Sequence, residues 1–330
     1  MNKNYYFFNE GRLKREDNTL KLIYPDGTKR DIPIESIDDI YIMCEMDLNV
    51  SLLNFLGSHK ISIHFFDYYT NYRGSFYPKE SYISGELLTK QTMIYSDNAL
   101  RLELAKKFIQ GATANIIRNL RYYKNRKKDV EQEMERIISF EDKIAGATSI
   151  RELMGYEGNV RKIYYSAWPQ IINQELEFKK RVKNPPDYEV NTLISCINDL
   201  IYTAVLREIY KTQLNPTISY LHSAGNKRFS LALDIAEIFK PVLADRMIFS
   251  LINKSQITED SFTPNLNGLQ LTKKASNTIL REFDKRMKKT VKHKDLNKNV
   301  SYQYLIRLEC YKLVNHMIGV KSYEPFKIWW

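Results

Sequence analysis

The first 80 residues carry short apolar runs that are typical of β-strands. Apolar and polar residues alternate through residues 19–24 and again through residues 28–34, on either side of a Pro-Asp-Gly sequence, which predicts a β-hairpin. Runs rich in aromatic and β-branched side chains predict three further strands, at residues 5–8, 39–43 and 61–66. Residues 51–56 predict a short helix between two of these strands.

The pattern becomes helical from Asp97, which is a suitable N-cap residue. An apolar residue then recurs at every fourth position, which predicts one buried face of a long helix. The residues on this face are Leu100, Leu104, Phe108, Ala112, Ile116 and Leu120. A later basic helix is expected to direct four apolar residues inward, namely Ile279, Phe283, Met287 and Val291. Interruptions are expected at Gly146, residues 185–186, Pro216, Pro241 and residues 261–268.

The order of these elements predicts an α+β protein with two domains. A small N-terminal β-strand domain covers residues 1–80, and a larger all-α-helical domain covers residues 96–330. Residues 81–95 are expected to be a linker, because Pro78 and Gly85 punctuate the polar stretch around them. The length of 330 residues is sufficient for two domains, and the 43% of apolar residues allows a sizeable core.

The composition predicts a cytoplasmic protein. No apolar run reaches the length of about 18 residues that a transmembrane helix needs, and the N-terminus lacks the apolar segment of a secretory signal. The three cysteines, Cys44, Cys196 and Cys310, lie far apart, so neither a disulfide framework nor a zinc ribbon is expected. A reducing compartment is therefore the natural one.

The charge is unevenly distributed along the chain. The formal net charge is +11, from 50 basic and 39 acidic residues. Residues 31–59 contain six acids and no lysine or arginine, whereas residues 285–294 contain six bases and no acid. This asymmetry is typical of a polyanion-binding face, although a solvated basic surface is the alternative. The candidate DNA-binding residues are Arg121, Lys124, Arg126, Lys127, Lys128, Lys285, Arg286, Lys288, Lys289 and Lys292.

Two carboxylates interrupt a predicted helix that is apolar on nearly all sides. The helix covers residues 230–239, and its composition indicates that it is buried. Asp234 and Glu237 are three positions apart and therefore lie on one helix face. Because two buried like charges repel, a cation must compensate them. The sequence leaves open whether this cation is a lysine, an arginine such as Arg228 or Arg246, or a metal ion.

A histidine and a third acid add to the candidate chemistry. His222 shortly precedes the acidic helix, and an imidazole together with carboxylates is a ligand set that suits Mg²⁺ or Mn²⁺. A structural histidine is the alternative interpretation. Glu157 is placed at a helix start, where the purely structural interpretation makes Arg161 its i+4 partner.

Several further strings accompany these residues. They are Gly155-Tyr156-Glu157-Gly158, Pro185-Pro186 followed by Asn191, Leu221-His222, residues 230–241, Asp245-Arg246 and residues 268–272. Together they resemble the CRISPR-associated protein one family, the integrase of spacer acquisition, over essentially the whole chain. The resemblance implies a metal site of Glu157, His222 and Glu237 that binds Mg²⁺ or Mn²⁺. Asp234 would support this site or replace one of the ligands. Tyr202 matches a tyrosine that some relatives place in the active site, with packing as its structural alternative.

The resemblance also implies a function and partners. The function is that of a metal-dependent DNA endonuclease and integrase of the prokaryotic cytoplasm. It would insert short foreign DNA into a CRISPR array through attack by a 3′-hydroxyl group, a transesterification. The implied partners are double-stranded DNA with 3′-hydroxyl ends, CRISPR repeat DNA, a second copy of the chain that pairs through the β domain, and a small ferredoxin-fold companion subunit.

Other functions stay open on the residues alone. A general metal-dependent nuclease would use the same ligands to activate water without joining DNA. A non-catalytic nucleic-acid-binding module would have Asp234 and Glu237 neutralised by arginines and would not respond to Mn²⁺. A tyrosine recombinase is not expected, because no distinctive arginine cluster around a tyrosine is recognisable in the sequence.

Overall fold

A computed structural model of the chain describes residues 3–67, 71–78, 84–172, 176, 178–182, 188–223, 229–265 and 268–329. The chain forms two compact units, Met1–Ser81 and Tyr82–Trp330. The N-terminal unit is rich in strands and the C-terminal unit is mainly helical, as the hydrophobic pattern predicted. None of the helices in the described part of the chain has the length and apolar character needed to cross a membrane.

The described residues of the N-terminal unit form eight strands and one α-helix. They are β1 Lys3–Phe7, β2 Gly11–Glu16, β3 Thr19–Ile23, β4 Lys29–Pro33, β5 Ile37–Ile42, β6 Met46–Asp47, α1 Val50–Ser58, β7 Ser62–Phe66 and β8 Tyr72–Phe76. One sheet has the order β1-β5-β7-β8, in which only the β7–β8 pair is antiparallel. The other has the order β4-β3-β2-β6, in which only β2 and β6 are parallel.

The hairpin of β3 and β4 forms where it was predicted. Gly27 closes its turn with a φ of +81°, a left-handed conformation that glycine adopts without strain. Asp26 Oδ1 accepts hydrogen bonds from the backbone and the hydroxyl of Thr28, at 2.9 and 2.6 Å. The apolar side chains of the unit then share one core, to which Leu13, Leu20, Ile40, Leu52 and Ile63 belong.

Strands β2 and β8 were missed because little of either strand is buried. Only Leu13 is buried in β2, whose other side chains are mostly charged, and β8 has no fully buried residue. Both strands are defined by pairing with a neighbour, β2 with β3 and β8 with β7. Pairing of this kind leaves no apolar period in the sequence.

The C-terminal unit contains eleven described helices. They are α2 Gly85–Ser96, α3 Asn98–Lys124, α4 Glu131–Ile138, α5 Glu141–Gly146, α6 Ile150–Ser166, α7 Trp168–Ile171, α8 Glu189–Tyr210, α9 Ser230–Phe239, α10 Arg246–Asn253, α11 Lys273–Lys288 and α12 Tyr302–Met317. Four short strands form two antiparallel ribbons, β9 Phe262–Asn265 with β10 Gly268–Leu271 and β11 Thr290–Lys292 with β12 Asn299–Ser301. The domain is therefore not all-helical, contrary to the prediction, because turn-rich segments after α10 and α11 pair as strands.

Helix α3 supports the acidic helix α9. Asp97 caps α3 as predicted, and its Oδ1 accepts from two backbone N–H groups of the first turn at 2.9 and 3.0 Å. Five of the six predicted apolar positions are buried, but Leu100 is 53% exposed because burial of α3 begins only at Leu104, one turn further on. Asn115 Nδ2 donates to the carbonyl of Ile238 in α9 at 2.9 Å.

The predicted break at Pro241 is wrong. Residues Lys240–Asp245 form one π-helical turn that joins α9 directly to α10. Proline has no N–H to donate and its ring crowds the preceding turn, so a wider turn accommodates it without ending the helix. The carbonyl of Pro241 accepts a hydrogen bond from Asn119 Nδ2 at 2.6 Å. The π turn thereby holds Lys240 and Asp245 close to α9.

Two other boundaries differ from the prediction. Most of the predicted linker, from residue 85, is helix α2. Contacts with the helical unit fix this helix, because the buried Gln91 side chain accepts from the backbone N–H of Asn215 at 2.8 Å and donates to its carbonyl at 3.2 Å. Val291 does not lie on α11 but in β11, because α11 ends at Lys288. The predicted interruption at residues 185–186 lies outside the described residues.

Candidate active site

Asp234 holds a loop against α9. Its side chain is fully buried, and its two oxygens accept four hydrogen bonds. The backbone N–H groups of Tyr220 and Leu221 donate to Oδ2 at 2.6 and 3.0 Å, and that of His222 donates to Oδ1 at 3.0 Å. The fourth donor is His222 Nδ1, 2.7 Å from Oδ1. Because four donors occupy this carboxylate, its role is to fix the loop and the imidazole.

The same contact sets the tautomer of His222. An ionised carboxylate only accepts, so the proton of the neutral imidazole lies on Nδ1 and the lone pair lies on Nε2. Nε2 forms no hydrogen bond with the described residues, and the side chain is 24% exposed. A carboxylate behind one ring nitrogen is the arrangement that orients most metal-binding histidines.

Glu237 is compensated by two cations of the protein. Its side chain is only 9% exposed, and Arg161 Nη2 donates to Oε2 at 2.6 Å while Lys240 Nζ donates to Oε1. Burial opposes ionisation, but the charges of Lys240 and Arg161 outweigh it and hold the pKa of Glu237 well below its ordinary value. The carboxylate is therefore ionised. Of the two named arginine candidates, Arg246 donates instead to Asn119 Oδ1 at 2.6 Å, and Arg228 lies outside the described residues.

Arg161 connects three carboxylates. Its Nε lies 3.5 Å from Glu157 Oε1, in addition to the contact with Glu237, and its Nη1 lies 3.9 Å from Asp245 Oδ2. Burial lowers the pKa of Arg161, but the neighbouring acids, Glu237 first among them, raise it by a larger amount. The guanidinium therefore stays charged, although the Arg161 side chain is only 11% exposed. We call these four residues the acidic cluster.

Glu157 and Asp245 are the acids of the cluster that ionise less readily. Burial raises the pKa of Glu157, and the charge of Glu237 raises it further, against the effects of Arg161, Lys240 and His222. Burial also raises the pKa of Asp245, to about 7, because Arg161 offsets only part of the desolvation. The Oδ2 atom of Asp245 has no hydrogen-bond donor among the described residues.

The predicted ligands lie in one region but do not converge on a point. Within the described ranges, no three His, Cys, Asp or Glu side chains are placed to hold a metal ion. Glu157 and Glu237 meet at Arg161, whereas His222 meets Asp234. The donor set nevertheless suits a hard divalent cation, because it combines carboxylates that repel each other with an imidazole lone pair. Each Glu237 oxygen also keeps a second lone pair beside its present donor.

Two predicted placements need comment. Glu157 is not at a helix start but about two turns inside α6, because Ser149 caps that helix earlier and accepts from Glu152 N at 3.2 Å. Tyr202 lies half-buried on α8. The contacts described for Glu157, Glu237 and His222 do not include Tyr202, so its active-site role stays a prediction.

The sequence analysis did not assign Lys240 and Asp245 to the site, and it gave Arg161 only one of its partners. Lys240 follows Glu237 at i+3, a spacing that indicates an ion pair on a helix. Asp245 is an acid inside an apolar segment, which is the signal that singled out Asp234. Arg161 was assigned only to Glu157, because its second partner is 76 positions away.

The predicted DNA-binding residues form two groups of mostly exposed bases. One group lies in the last turn of α3 and directly after it, and the other lies at the end of α11 and in β11. Lys124 pairs with Glu131, and Lys288 pairs with Asp284 at 2.5 Å, so these two lysines are already partly neutralised. Arg286 and Lys124 are half-buried, whereas the others are exposed. Contact of these residues with DNA stays a prediction.

The fold and the site define a class of protein. It is an α+β chain whose helical unit holds buried acids around an arginine, next to a histidine oriented by a carboxylate. The family model described as CRISPR associated protein Cas1 matches residues 5–285. The chain belongs to this family, and the resemblance stated from the motifs is confirmed.

Individual relatives agree over the full length. The CRISPR-associated endonuclease Cas1 of Fusobacterium nucleatum subsp. nucleatum is 53% identical over 330 residues, which cover 100% of this chain and 98% of that protein. The structure of a CAS1 protein from Thermotoga maritima matches with a TM-score of 0.89 and 37% identity, over 98% of this chain and 100% of that one. A casposase bound to integration product has a TM-score of 0.88 over 98% and 93% of the two chains, but its 20% identity shows a shared fold only.

Proposed function

We propose that this chain is a metal-dependent DNA endonuclease and integrase that inserts short foreign DNA into a CRISPR array. The relative in Fusobacterium nucleatum, named as an endonuclease, supports nuclease chemistry. The observation that carries the proposal is the pairing of Glu157 with Glu237 across Arg161, beside a histidine that Asp234 orients. The prokaryotic cytoplasm is the proposed compartment.

Mg²⁺ or Mn²⁺ is the proposed cofactor, held by Glu157, Glu237 and His222 Nε2. When bound, such an ion stabilises negative charge on a phosphate oxygen and aligns the reacting groups. Asp234 would act through His222, because its four hydrogen bonds hold the imidazole and the loop in place. Arg161 and Lys240 would keep Glu237 ionised at neutral pH, as the lowered pKa of that residue indicates.

The proposed reaction is a transesterification. A 3′-hydroxyl oxygen of the incoming DNA attacks a phosphodiester phosphorus at the repeat boundary, and the bond from that phosphorus to its 3′-oxygen leaving group breaks. The number of phosphodiester bonds is conserved, so the reaction needs no oxidant, nucleotide or covalent protein intermediate. The attacking hydroxyl loses one proton and the departing 3′-oxygen gains one, so protons balance as well. Glu157 and Asp245, whose pKa values are both raised, are the acids of the site that bind a proton more readily.

DNA and protein partners complete the proposal. The exposed bases after α3 and around the end of α11 would contact phosphates of double-stranded DNA and repeat DNA. The N-terminal unit would mediate a homodimer, and a small ferredoxin-fold subunit would bridge two dimers.

The deciding experiment is strand transfer of a labelled short duplex with free 3′-hydroxyl ends into a supercoiled plasmid that carries a repeat array. We expect joining with Mn²⁺, none with EDTA, and a loss of at least about 100-fold in Glu157→Gln. Glu135→Gln, a substitution of an exposed acid on α4, is the control and should join normally. Full activity of Glu157→Gln would contradict the site assignment, and cutting without joining would favour the general nuclease.

One observation favours a second candidate, the non-catalytic nucleic-acid-binding module. Glu237 is neutralised by Arg161 and Lys240, as a structural ion pair would be, although Asp234 is held by hydrogen bonds and not by an arginine. This candidate predicts salt-sensitive DNA binding and no metal-dependent reaction under any of the conditions above.

A further inference from the structure

Three arginines surround a pair of tyrosines at the end of α3. The guanidinium of Arg126 lies 4.3 Å from the ring centroid of Tyr122, and that of Arg246 lies 5.8 Å from it. The rings of Tyr122 and Tyr123 meet edge to face at 5.1 Å. The charges of Arg126, Arg246 and Arg286 each lower the pKa of Tyr123, so all three guanidiniums lie near its hydroxyl. We call them the arginine cluster.

Within the described residues, no carboxylate forms an ion pair with Arg246 or Arg286, which we call the inner members of this cluster. In the described part of the chain, neither Arg246 nor Arg286 has an acid within ion-pair distance, and Glu282 influences Arg286 only from further away. Burial lowers the pKa of both arginines, and the charge of Arg246 lowers that of Arg286 further. Two like charges are therefore held together, partly out of water, without a counter-ion from the protein.

The hydrogen-bond donors of these arginines are also largely unused. Arg246 donates only through Nε, to Asn119 Oδ1 at 2.6 Å. Arg286 Nε is buried and has no acceptor, and the Nη groups of both residues likewise form no hydrogen bond to any described residue. A guanidinium offers five donors in a fixed plane, and buried donors are nearly always satisfied in folded proteins. An anion with several oxygens supplies both the missing charge and the missing acceptors.

We propose that Arg246 and Arg286 form a binding subsite for one phosphodiester group of a DNA strand, with the Tyr122 ring beside it as a surface for a base. Two guanidiniums can each bind a phosphate through paired N–H groups. Tyr122 is 43% exposed and Arg126 covers part of its ring, so base and cation share one aromatic surface. The choice of DNA as the strand rests on the proposed function.

A nucleophilic role for the tyrosines does not fit this cluster. Burial raises the pKa of Tyr123 to about 12, which is the opposite of what activates a tyrosine oxygen at neutral pH. The arginines thus serve to hold a phosphate and not to activate Tyr123.

The test is the salt dependence of DNA binding, measured with EDTA so that no reaction takes place. A labelled duplex with single-stranded 3′ ends is titrated with wild type, Arg286→Gln and Arg281→Gln at several salt concentrations. Arg281 is an exposed arginine of the same helix and controls for the loss of one positive charge. We expect Arg286→Gln to reduce the slope of log affinity against log salt by about 0.9, and Arg281→Gln to change it by much less.

A double variant shows whether the two arginines share one phosphate. If both guanidiniums are needed to hold one phosphate, that contact is already lost in Arg286→Gln, so Arg246→Gln with Arg286→Gln reduces the slope by the same amount, about 0.9, and not by twice that value. Arg246→Gln also loses the bond to Asn119, so Arg286→Gln, which breaks no described hydrogen bond, keeps the test independent of folding. Its thermal midpoint without DNA should equal or exceed that of wild type.

The outcomes separate this proposal from the proposed function. Wild type that does not bind DNA at any salt concentration contradicts the proposed function. Wild type that binds, with Arg286→Gln at the same slope, overturns the subsite alone. Equal losses in Arg281→Gln and Arg286→Gln also overturn it, because the effect would then come from the general charge of α11.

Discussion

The acidic cluster and the arginine cluster are neighbours that differ in how their buried charges are compensated. Asp245 and Arg246 are consecutive residues where the π turn meets α10, yet Asp245 contacts Arg161 and Arg246 lies over Tyr122. Every acid of the first cluster has Arg161 within 4 Å. In the second, the two inner arginines have no acid at that distance in the described part of the chain.

This difference indicates which charges belong to the fold and which belong to a ligand. A cluster whose charges compensate each other needs no ligand to be stable in the folded chain. Removal of one partner is destabilising, because it leaves the other charges buried without compensation. An uncompensated cluster lowers stability, and an anion that binds it would stabilise the folded chain. Substitutions in both clusters and at the exposed lysines test this contrast.

The strongest effect is expected from Arg161→Met. It leaves Glu157, Glu237 and Asp245 without their common cation, so we expect the free energy of unfolding to fall by about 3–5 kcal/mol. The matched variant Arg286→Met removes a half-buried arginine without an ion pair and should change the free energy of unfolding by less than about 0.5 kcal/mol, or raise it. Urea denaturation of both variants gives the comparison. Equal losses would remove the distinction between the two clusters.

Asp234→Asn should have the next largest effect. An amide has one oxygen, and its NH₂ group would face donors, so it cannot accept from Tyr220, Leu221 and His222 together. We expect a loss of about 1–3 kcal/mol in urea denaturation. Nitrogen chemical shifts of the His222 ring should show a loss of the Nδ1–H tautomer. Asp295→Asn, at an exposed acid, is the control, and an unchanged tautomer in Asp234→Asn would contradict the assigned role.

The raised pKa of Asp245 predicts a pH dependence. In the folded chain the pKa of Asp245 is about 7, whereas its ordinary pKa is 3.8. Between these two pH values the folded state therefore binds more protons than the unfolded state. The contribution of Asp245 to the free energy of unfolding is therefore full below the ordinary value, falls as the pH rises to about 7, and is constant above it. The difference between wild type and Asp245→Asn in urea denaturation should fall over this range. A constant difference would show that Arg161 compensates Asp245 completely.

The exposed lysines should give the smallest effects. Lys289→Gln and Lys288→Gln are each expected to change the free energy of unfolding by less than about 0.5 kcal/mol. Lys289→Gln should weaken DNA binding more than Lys288→Gln, because Lys288 already pairs with Asp284. Charge reversal at Lys288, Lys289 and Lys292 together should weaken binding of all DNA sequences alike. Unchanged affinity at low salt would make this patch a solvated surface.

Local features of the chain were readable from the sequence. The burial of α9 followed from its apolar composition, and the cap of α3 followed from Asp97 before a period of four. Where local pattern and tertiary context differed, context decided the structure. A proline inside a helical segment usually ends or kinks the helix. At Pro241, however, Asn119 donates a hydrogen bond to the proline carbonyl and a π turn continues the helix.

The sequence by itself determined which residues are candidates. It marked Asp234 and Glu237 as acids that need compensation, marked His222 and Glu157 through the family motifs, and placed a strand-rich unit before a helical one. The partner of each charged side chain was set by the packing of the folded chain. Asp234 is satisfied by a loop 12 to 14 positions before it, Glu237 by an arginine 76 positions before it, and Arg286 by no acid at ion-pair distance in the described part of the chain. Helical periodicity specifies which face a side chain takes, but the partner on that face depends on which distant segment packs there.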